Sequence, residues 1–261
     1  MSLARRHRDR ILAAQTVASA PNVGAGTPAA APLPAAGGSP ADRASAQIAM
    51  RLTHDLRRLK EIRAVSGKIA AKREMIPAYV NWVKGLLAAD AGVGTGTCAE
   101  VLPTVMVWLI DIGEFDDALE LLPFVLRHKV QMPARYNRDA ATIVVEEIAE
   151  AALKAHAADQ DLDLSVLLRV DDLTDGIDMH DPVRAKLAKA IGTQQLRHAE
   201  DMEANADGRA LIEAALASLQ AAQALNDRIG VKDKIKRAQK LLTAHDAAAA
   251  APATETGGPA A

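Results

Sequence analysis

The chain has 261 residues, a formal net charge of −2, 49 % apolar and 2 % aromatic residues, and one cysteine, Cys98. That length supports one or two domains with their own cores, a lone cysteine excludes an internal disulfide and suits a reducing cytoplasm, and the absence of any run of about 18 apolar residues predicts no transmembrane helix. Alanine is abundant and β-branched alternation nearly absent, which predicts an all-α protein.

The near-neutral total hides an asymmetry. Residues 1–74 hold 13 Lys and Arg against 5 Asp and Glu, whereas the remainder holds 18 against 28. A basic end on a neutral chain suggests contact with a polyanion. Residues 1–20 form a basic N-terminal arm, with Arg5, Arg6, Arg8 and Arg10 ahead of Ile11–Ala20. Its ending, Ala18-Ser19-Ala20, faintly resembles a secretory cleavage site, but the apolar part is short and interrupted by Gln15 and Thr16, so export is not expected. Residues 21–41, with Pro21, Pro28, Pro32, Pro34 and Pro40 among Ala and Gly, read as a disordered linker.

Residues 42–88 read as a basic helical region for DNA binding or oligomerisation. Asp42–Lys72 is predicted as one long helix with a sparse apolar stripe of Ile48, Leu52, Leu56, Leu59 and Ile62. Its other faces, with the residue that follows it, carry Arg51, Arg57, Arg58, Lys60, Arg63, Lys68, Lys72 and Arg73. Several cations on one helix neutralise phosphates and release counterions, and arginine also reads guanine edges in the major groove. Without interleaved aromatics, stacking on single strands is not indicated; a basic surface on an oligomerisation helix is the plain alternative. Pro77 ends this helix or starts the next, and Tyr79–Leu87 forms a short helix with Trp82 and Val83 inward. The glycine-rich residues 90–97 lack the Lys-Ser/Thr ending of a phosphate-binding loop.

Residues 98–244 read as a domain of helical hairpins, tetratricopeptide-like in shape without regular repeats. The strongest hairpin spans 101–129: Val101, Val105, Trp108, Leu109 and Ile112 face Phe115, Ala118, Leu119, Leu122, Val125 and Leu126 across a turn at Gly113. Pro123 inside the second helix is expected to kink it. A helix over 139–157 leads to His156, which, like His180, reads as a surface residue. The segment 159–181 is rich in aspartate. Asp171, Asp172 and Asp175 are its metal-ligating candidates, and Glu146, Glu147 and Glu150 lie on the preceding helix. Asp171, Asp175 and Gly176 start a calcium-loop pattern that fails at Leu173 and at Pro182. No histidine or lysine completes a nuclease motif, so these acids read as caps and solvated faces and no metal site is expected. Asp181 reads as a cap before Pro182, opening a helix to about residue 191. Arg209–Arg228 and Val231–Leu242 form a last hairpin hinged at Gly230, and 245–261 a disordered tail.

Three segments carry a family resemblance: ARRHRDRILAA at 4–14, HDLRRLKEIRAVSGKIAAKREMIPAYVNWVKGLL at 54–87, and TVMVWLIDIGEFDDALELLPFVLRHKVQMP at 104–133, continued by TIVVEEIAEAALKAH at 142–156. Weaker similarity runs through 181–192 to 230–242, and Trp82, Trp108, Gly113, Met132 and Pro133 weigh most. Together they resemble the small terminase subunit of peduoviruses, temperate contractile-tailed phages, a family also labelled the terminase endonuclease subunit. The linker at 21–40 is not part of the family pattern, and the tail lacks the basic residues of relatives. The resemblance implies a homo-oligomer in the bacterial host cytoplasm that binds the cohesive-end region of concatemeric double-stranded phage DNA. It would pass that DNA to a large terminase ATPase subunit for cleavage and packaging into the prohead. No intrinsic cofactor is implied. Mg²⁺ enters only under a different reading, a metal-dependent endonuclease in its own right; a protein-only helical adaptor is a third.

Overall fold

The computed structural model describes residues 39–250, so the basic arm, most of the linker and the end of the tail lie outside the described residues. Residues 1–42 and 43–261 form two units. Of the first, the described part is a capping box: Ser39 Oγ accepts from the Asp42 amide at 3.1 Å and Asp42 Oδ2 accepts from the Ser39 amide at 2.8 Å. It starts helix α1, Pro40–Glu61, with proline at the first helical position, so the predicted linker ends at residue 39.

The described residues are all-α. After α1 come α2 (Val65–Met75), α3 (Val80–Ala89), α4 (Val101–Ile112), α5 (Phe115–Arg127), α6 (Ala140–Ala157), α7 (Leu164–Leu173), α8 (Asp181–Glu200), α9 (Ala206–Leu225) and α10 (Lys232–Ala250), with short 3₁₀ turns at Ile76–Ala78 and Gly96–Glu100.

The single long helix predicted over 42–72 is two helices. The chain leaves α1 after Glu61, and Ala64 is extended (φ −70°, ψ 133°). The break lets Ile62 fold against Gly67, where a Cβ would sit 3.0 Å from Ile62 Cγ2. It also turns Ala71 and Met75 into the core.

The predicted hairpin at 101–129 is present. Gly113 (φ 88°) closes α4 by donating to Ile110 O, while Glu114 N donates to Leu109 O, the paired bonds of a Schellman cap. Every residue from Val101 to Ile110 is buried, so α4 is wrapped on all sides rather than along one stripe. Helix α5 runs through Pro123 to Arg127, with Leu122 and Phe124 buried on either side of it.

One apolar cluster extends from Ile48 to Ile191 and includes Leu52, Tyr79, Leu102, Met106, Leu119, Ile148, Leu167 and Leu187. It crosses the glycine-rich segment 90–97, so the basic helices and the hairpins share a core. A second cluster, Leu196, Ala199, Ile212, Ala215, Leu219, Val231 and Ala238, holds the C-terminal hairpin. Helix α8 contributes to both, because it continues to Glu200 instead of ending near 191; its cap is His180, one residue before the predicted Asp181. Residues 245–250, expected in the tail, are the end of α10.

Candidate nucleic-acid interface

Helix α1 buries Ile48, Leu52, Asp55 and Leu59, steps of four, three and four residues. The same spacing on the opposite side aligns Met50, His54, Arg57 and Glu61 along its outer line, with Arg51 and Arg58 on one shoulder and Lys60 on the other. Met50 is 65 % exposed, and the His54 side chain 80 %. This outer line is a ridge between two clefts. One, of about 1060 Å³, lies toward α3 and is lined by Gln47, Met50, Arg51, His54, Asn81 and Trp82. The other, of about 460 Å³, is lined by Met50, Thr53, His54, Arg57 and Thr97. The Trp82 ring borders the first cleft, while its Nε1 is buried beneath that surface without a hydrogen-bond partner.

The eight predicted cations divide between five without an ion-pair partner and three that brace neighbouring helices. Arg51, Arg57, Lys60 and Arg63 are exposed, Lys68 is half-buried, and none of the five has a carboxylate within ion-pair distance among the described residues. Arg58 forks onto Glu74, Nη1 to Oε1 at 3.1 Å and Nη2 to Oε2 at 2.6 Å, which ties α1 to α2. The Arg58 guanidinium also holds Glu74 below the usual carboxylate range. Lys72 pairs with Asp111 and Arg73 donates to Ile112 O at 3.0 Å, so both serve the C-terminal end of α4, where cations suit the helix dipole.

The acidic segment is used piecemeal. Asp163 caps α7 through the Ser165 amide, Asp159 and Asp161 both grip Arg197, and Asp171 lies 3.6 Å from Arg184. Burial first, then neighbouring Asp175 and Asp172, raises the Asp171 carboxyl against the pull of Arg184. Asp172 and Asp175 are exposed. The three do not form a metal-binding group, and no set of three or more His, Cys, Asp or Glu among the described residues does. Glu146 pairs with Arg138 and Lys186, and Glu150 with Lys186. A cleft of about 420 Å³ collects Lys72, Asp111, Glu146 and Glu147, and burial, reinforced by Asp111 and Glu150, pushes the Glu147 carboxyl up.

His180 is exposed as expected, whereas His156 is half-buried: its Nε2 contacts Gln194 Oε1 at 2.6 Å and its Nδ1 is covered. The signal was present in the stripe Ile148, Ala152, His156, which repeats every four residues along the inner face of α6. The outer residues Met50 and His54, and the orphaned Trp82 indole, were not singled out from sequence as parts of a binding surface. The spacing of Met50, His54 and Arg57 marked a line facing away from the Leu52 stripe, but nothing in it announced the clefts. Among the described residues no helix is long and apolar enough to cross a membrane.

The family model described as phage small terminase subunit matches residues 49–182. The chain is also similar to a protein of Escherichia phage P2 named terminase, endonuclease subunit, at 37 % identity over 196 residues that cover 75 % of this chain and 73 % of the relative. No solved structure matches the chain.

Proposed function

The chain belongs to the phage small terminase subunit family and so has a role in phage DNA packaging, and we propose that within that role it is the subunit that recognises duplex DNA. The observation that carries this is the α1 ridge, with Arg51, Arg57 and Lys60 exposed, unpaired and flanked by two clefts of mixed polar and apolar lining. A helix of 22 residues is about 33 Å long, which suits a helix lying in or across the major groove. Its cations supply the phosphate contacts, and Gln47, Asn81 and the Trp82 indole sit where base edges or sugars would enter the larger cleft. The target is the cohesive-end region of concatemeric phage DNA. The protein acts as a homo-oligomer in the bacterial host cytoplasm and delivers that DNA to the large terminase ATPase subunit.

The test is a mobility shift on cohesive-end duplex with the purified chain, with and without Mg²⁺. Binding that weakens steeply with salt, without cutting, supports a recognition subunit; no binding at low salt, with the large subunit still bound, favours a protein-only adaptor.

A second reading, a metal-dependent endonuclease, rests on the printed name of the P2 relative; the cleft at Asp111, Glu146 and Glu147 is where its acids would be sought, although Lys72, Arg138 and Lys186 already pair two of them. It requires Mg²⁺-dependent nicking by the chain alone, lost in Glu147→Gln. Absence of nicking with any divalent metal, in a preparation that binds the duplex, sets it aside.

A further inference from the structure

Helices α6, α8 and α10 border a polar cavity that neither the DNA ridge nor the acidic cleft uses. It has a volume of about 200 Å³ and lies between α8, α10 and the end of α6, lined by His156, Asp159, Thr193, Arg197, Glu200, Lys234 and Arg237, so that three cations face two carboxylates. Two of the residues that line it carry a buried polar atom without a partner. Thr193 is 5 % exposed and its hydroxyl makes no hydrogen bond; His156 Nδ1 is buried and also unpaired. Buried polar atoms are rarely left so, and each costs about 1–3 kcal/mol when unmatched.

The neighbours fix what kind of partner is missing. Gln194 Oε1 lies 2.6 Å from His156 Nε2 and faces the Leu162 amide, so it is the acceptor and His156 Nε2 carries a proton. Gln194 Nε2 donates in turn to His198 Nε2 at 2.8 Å. His156 Nδ1 is therefore either a bare lone pair or, in the imidazolium, a donor pointing away from Gln194. Arg197 is held by Asp159 and Asp161, and Arg237 by Glu200. Lys234 has no carboxylate partner among the described residues, and its charge opposes protonation of both His156 and the half-buried Lys189, whose amine donates to Ile229 O at 2.7 Å. Three helices thus bring a spare cation, a spare hydroxyl and a spare imidazole nitrogen to one small space.

We propose that this cavity binds a single phosphate-class oxyanion, held by the Thr193 hydroxyl, the Lys234 ammonium and the Nδ1 side of His156, with Arg197 and Arg237 at its rim. Its volume of about 200 Å³ equals roughly seven waters at bulk density, room for one tetrahedral anion and a few waters. The anion bridges α6, α8 and α10, and so clamps the C-terminal hairpin to the rest of the molecule.

The experiment titrates inorganic phosphate into the full-length chain at constant ionic strength, with chloride as the control. It follows Tm and the His156 ring resonances, assigned by their absence in His156→Gln. Phosphate is expected to raise Tm, because it binds the native state, and to move those resonances, while Thr193→Val and Lys234→Met weaken binding roughly ten- to a hundredfold, the loss of one charge-assisted contact. Thr193→Val also removes an unpaired hydroxyl, so without phosphate it is expected to be as stable as the parent or more so. If that variant does not fold, Lys234→Met carries the test. A second arm uses a short duplex: resonances moved by the duplex and not by free phosphate would identify the oxyanion as a backbone phosphate. Resonances unmoved by either ligand, or phosphate affinity unchanged in the folded variants, would mean that the cavity holds water only and would overturn the proposal.

Discussion

Tyr79 is fully buried, and its hydroxyl donates to the Asp55 carboxylate at 2.7 Å. The bond joins the core side of α1 to the entry of α3, and the Tyr79 ring also meets Trp108 edge-on, with centroids 5.9 Å apart. The helix that presents Arg51 and Arg57 outward is thus anchored through its opposite face to the central helix α4.

Tyr79→Phe keeps the ring and leaves a buried carboxylate oxygen unmatched, at an expected cost of about 1–3 kcal/mol in denaturant unfolding. Burial, then the Asp55 hydrogen bond and charge, raises the Tyr79 hydroxyl far above the ordinary tyrosine range. A group whose folded pKa is raised contributes stability that is complete below its unfolded value and is lost as pH climbs past it. The parent should therefore lose stability above about pH 10, and Tyr79→Phe should lack that component; equal alkaline slopes in the two proteins would contradict the assignment.

For DNA binding, the division of the basic residues gives contrasting expectations. Arg51→Ala, Arg57→Ala and Lys60→Ala together should weaken duplex binding at low salt by an order of magnitude or more and lower the salt slope by about one for each phosphate contact removed. Lys72→Ala and Arg73→Ala should instead lower Tm, because they release Asp111 and the Ile112 carbonyl, with the salt slope unchanged. Salt-dependent titrations of the two variants separate these outcomes.

Gly192 marks a close approach of α8 to α9. A Cβ there would stand 2.8 Å from Leu219 Cγ and 3.0 Å from the Leu219 amide nitrogen. Gly192→Ala would normally favour a helix, yet here it should destabilise by about 1–3 kcal/mol, because backbone as well as side chain must move. A stabilised Gly192→Ala in urea would show that the helices have slack.

His156 gives an acid-side signature. Burial, with Arg197 from α8 and Lys234 from α10, holds its imidazole below the ordinary histidine value, against the opposing Gln194 hydrogen bond and Asp161. A histidine depressed in the folded state contributes stability that is present above its unfolded pKa and is lost as pH falls through the folded one. The parent should weaken below about pH 6.5, and His156→Gln should flatten that limb of the stability profile.

The hairpin at 101–129 was legible because Gly113 and the two apolar stripes are local signals. The Asp139 cap of α6 is also a local signal, its carboxylate taking the Thr142 amide, but the helix predicted over 139–157 places Asp139 inside it. What stayed hidden depends on partners distant in sequence. The break at 62–64 is set by Ile62 packing on Gly67 and by Ala71 and Met75 turning to the core, and its one local signal, the weak helix formers Val65, Ser66 and Gly67, is passed over by the single helix predicted there. Eight basic residues in a row of turns gave no clue that Lys72 and Arg73 serve the end of α4, since Asp111 lies 39 residues away from Lys72. The aspartates of 159–181 showed as a cluster in sequence, but Arg184 and Arg197 draw them apart in space.

Helix α8 belongs to both apolar clusters, with Leu187 and Ile191 in the first and Leu196 and Ala199 in the second. The C-terminal hairpin therefore has no means of melting away while α8 stays whole: losing the second cluster exposes half of a helix whose other half braces the first. The two clusters should denature as one cooperative body. Trp82 and Trp108 both lie in or against the first cluster, so their fluorescence reports that part alone, whereas far-UV circular dichroism reports every helix. Coincident midpoints from the two probes are the expected mark of a shared helix acting as the spine of a single folding unit.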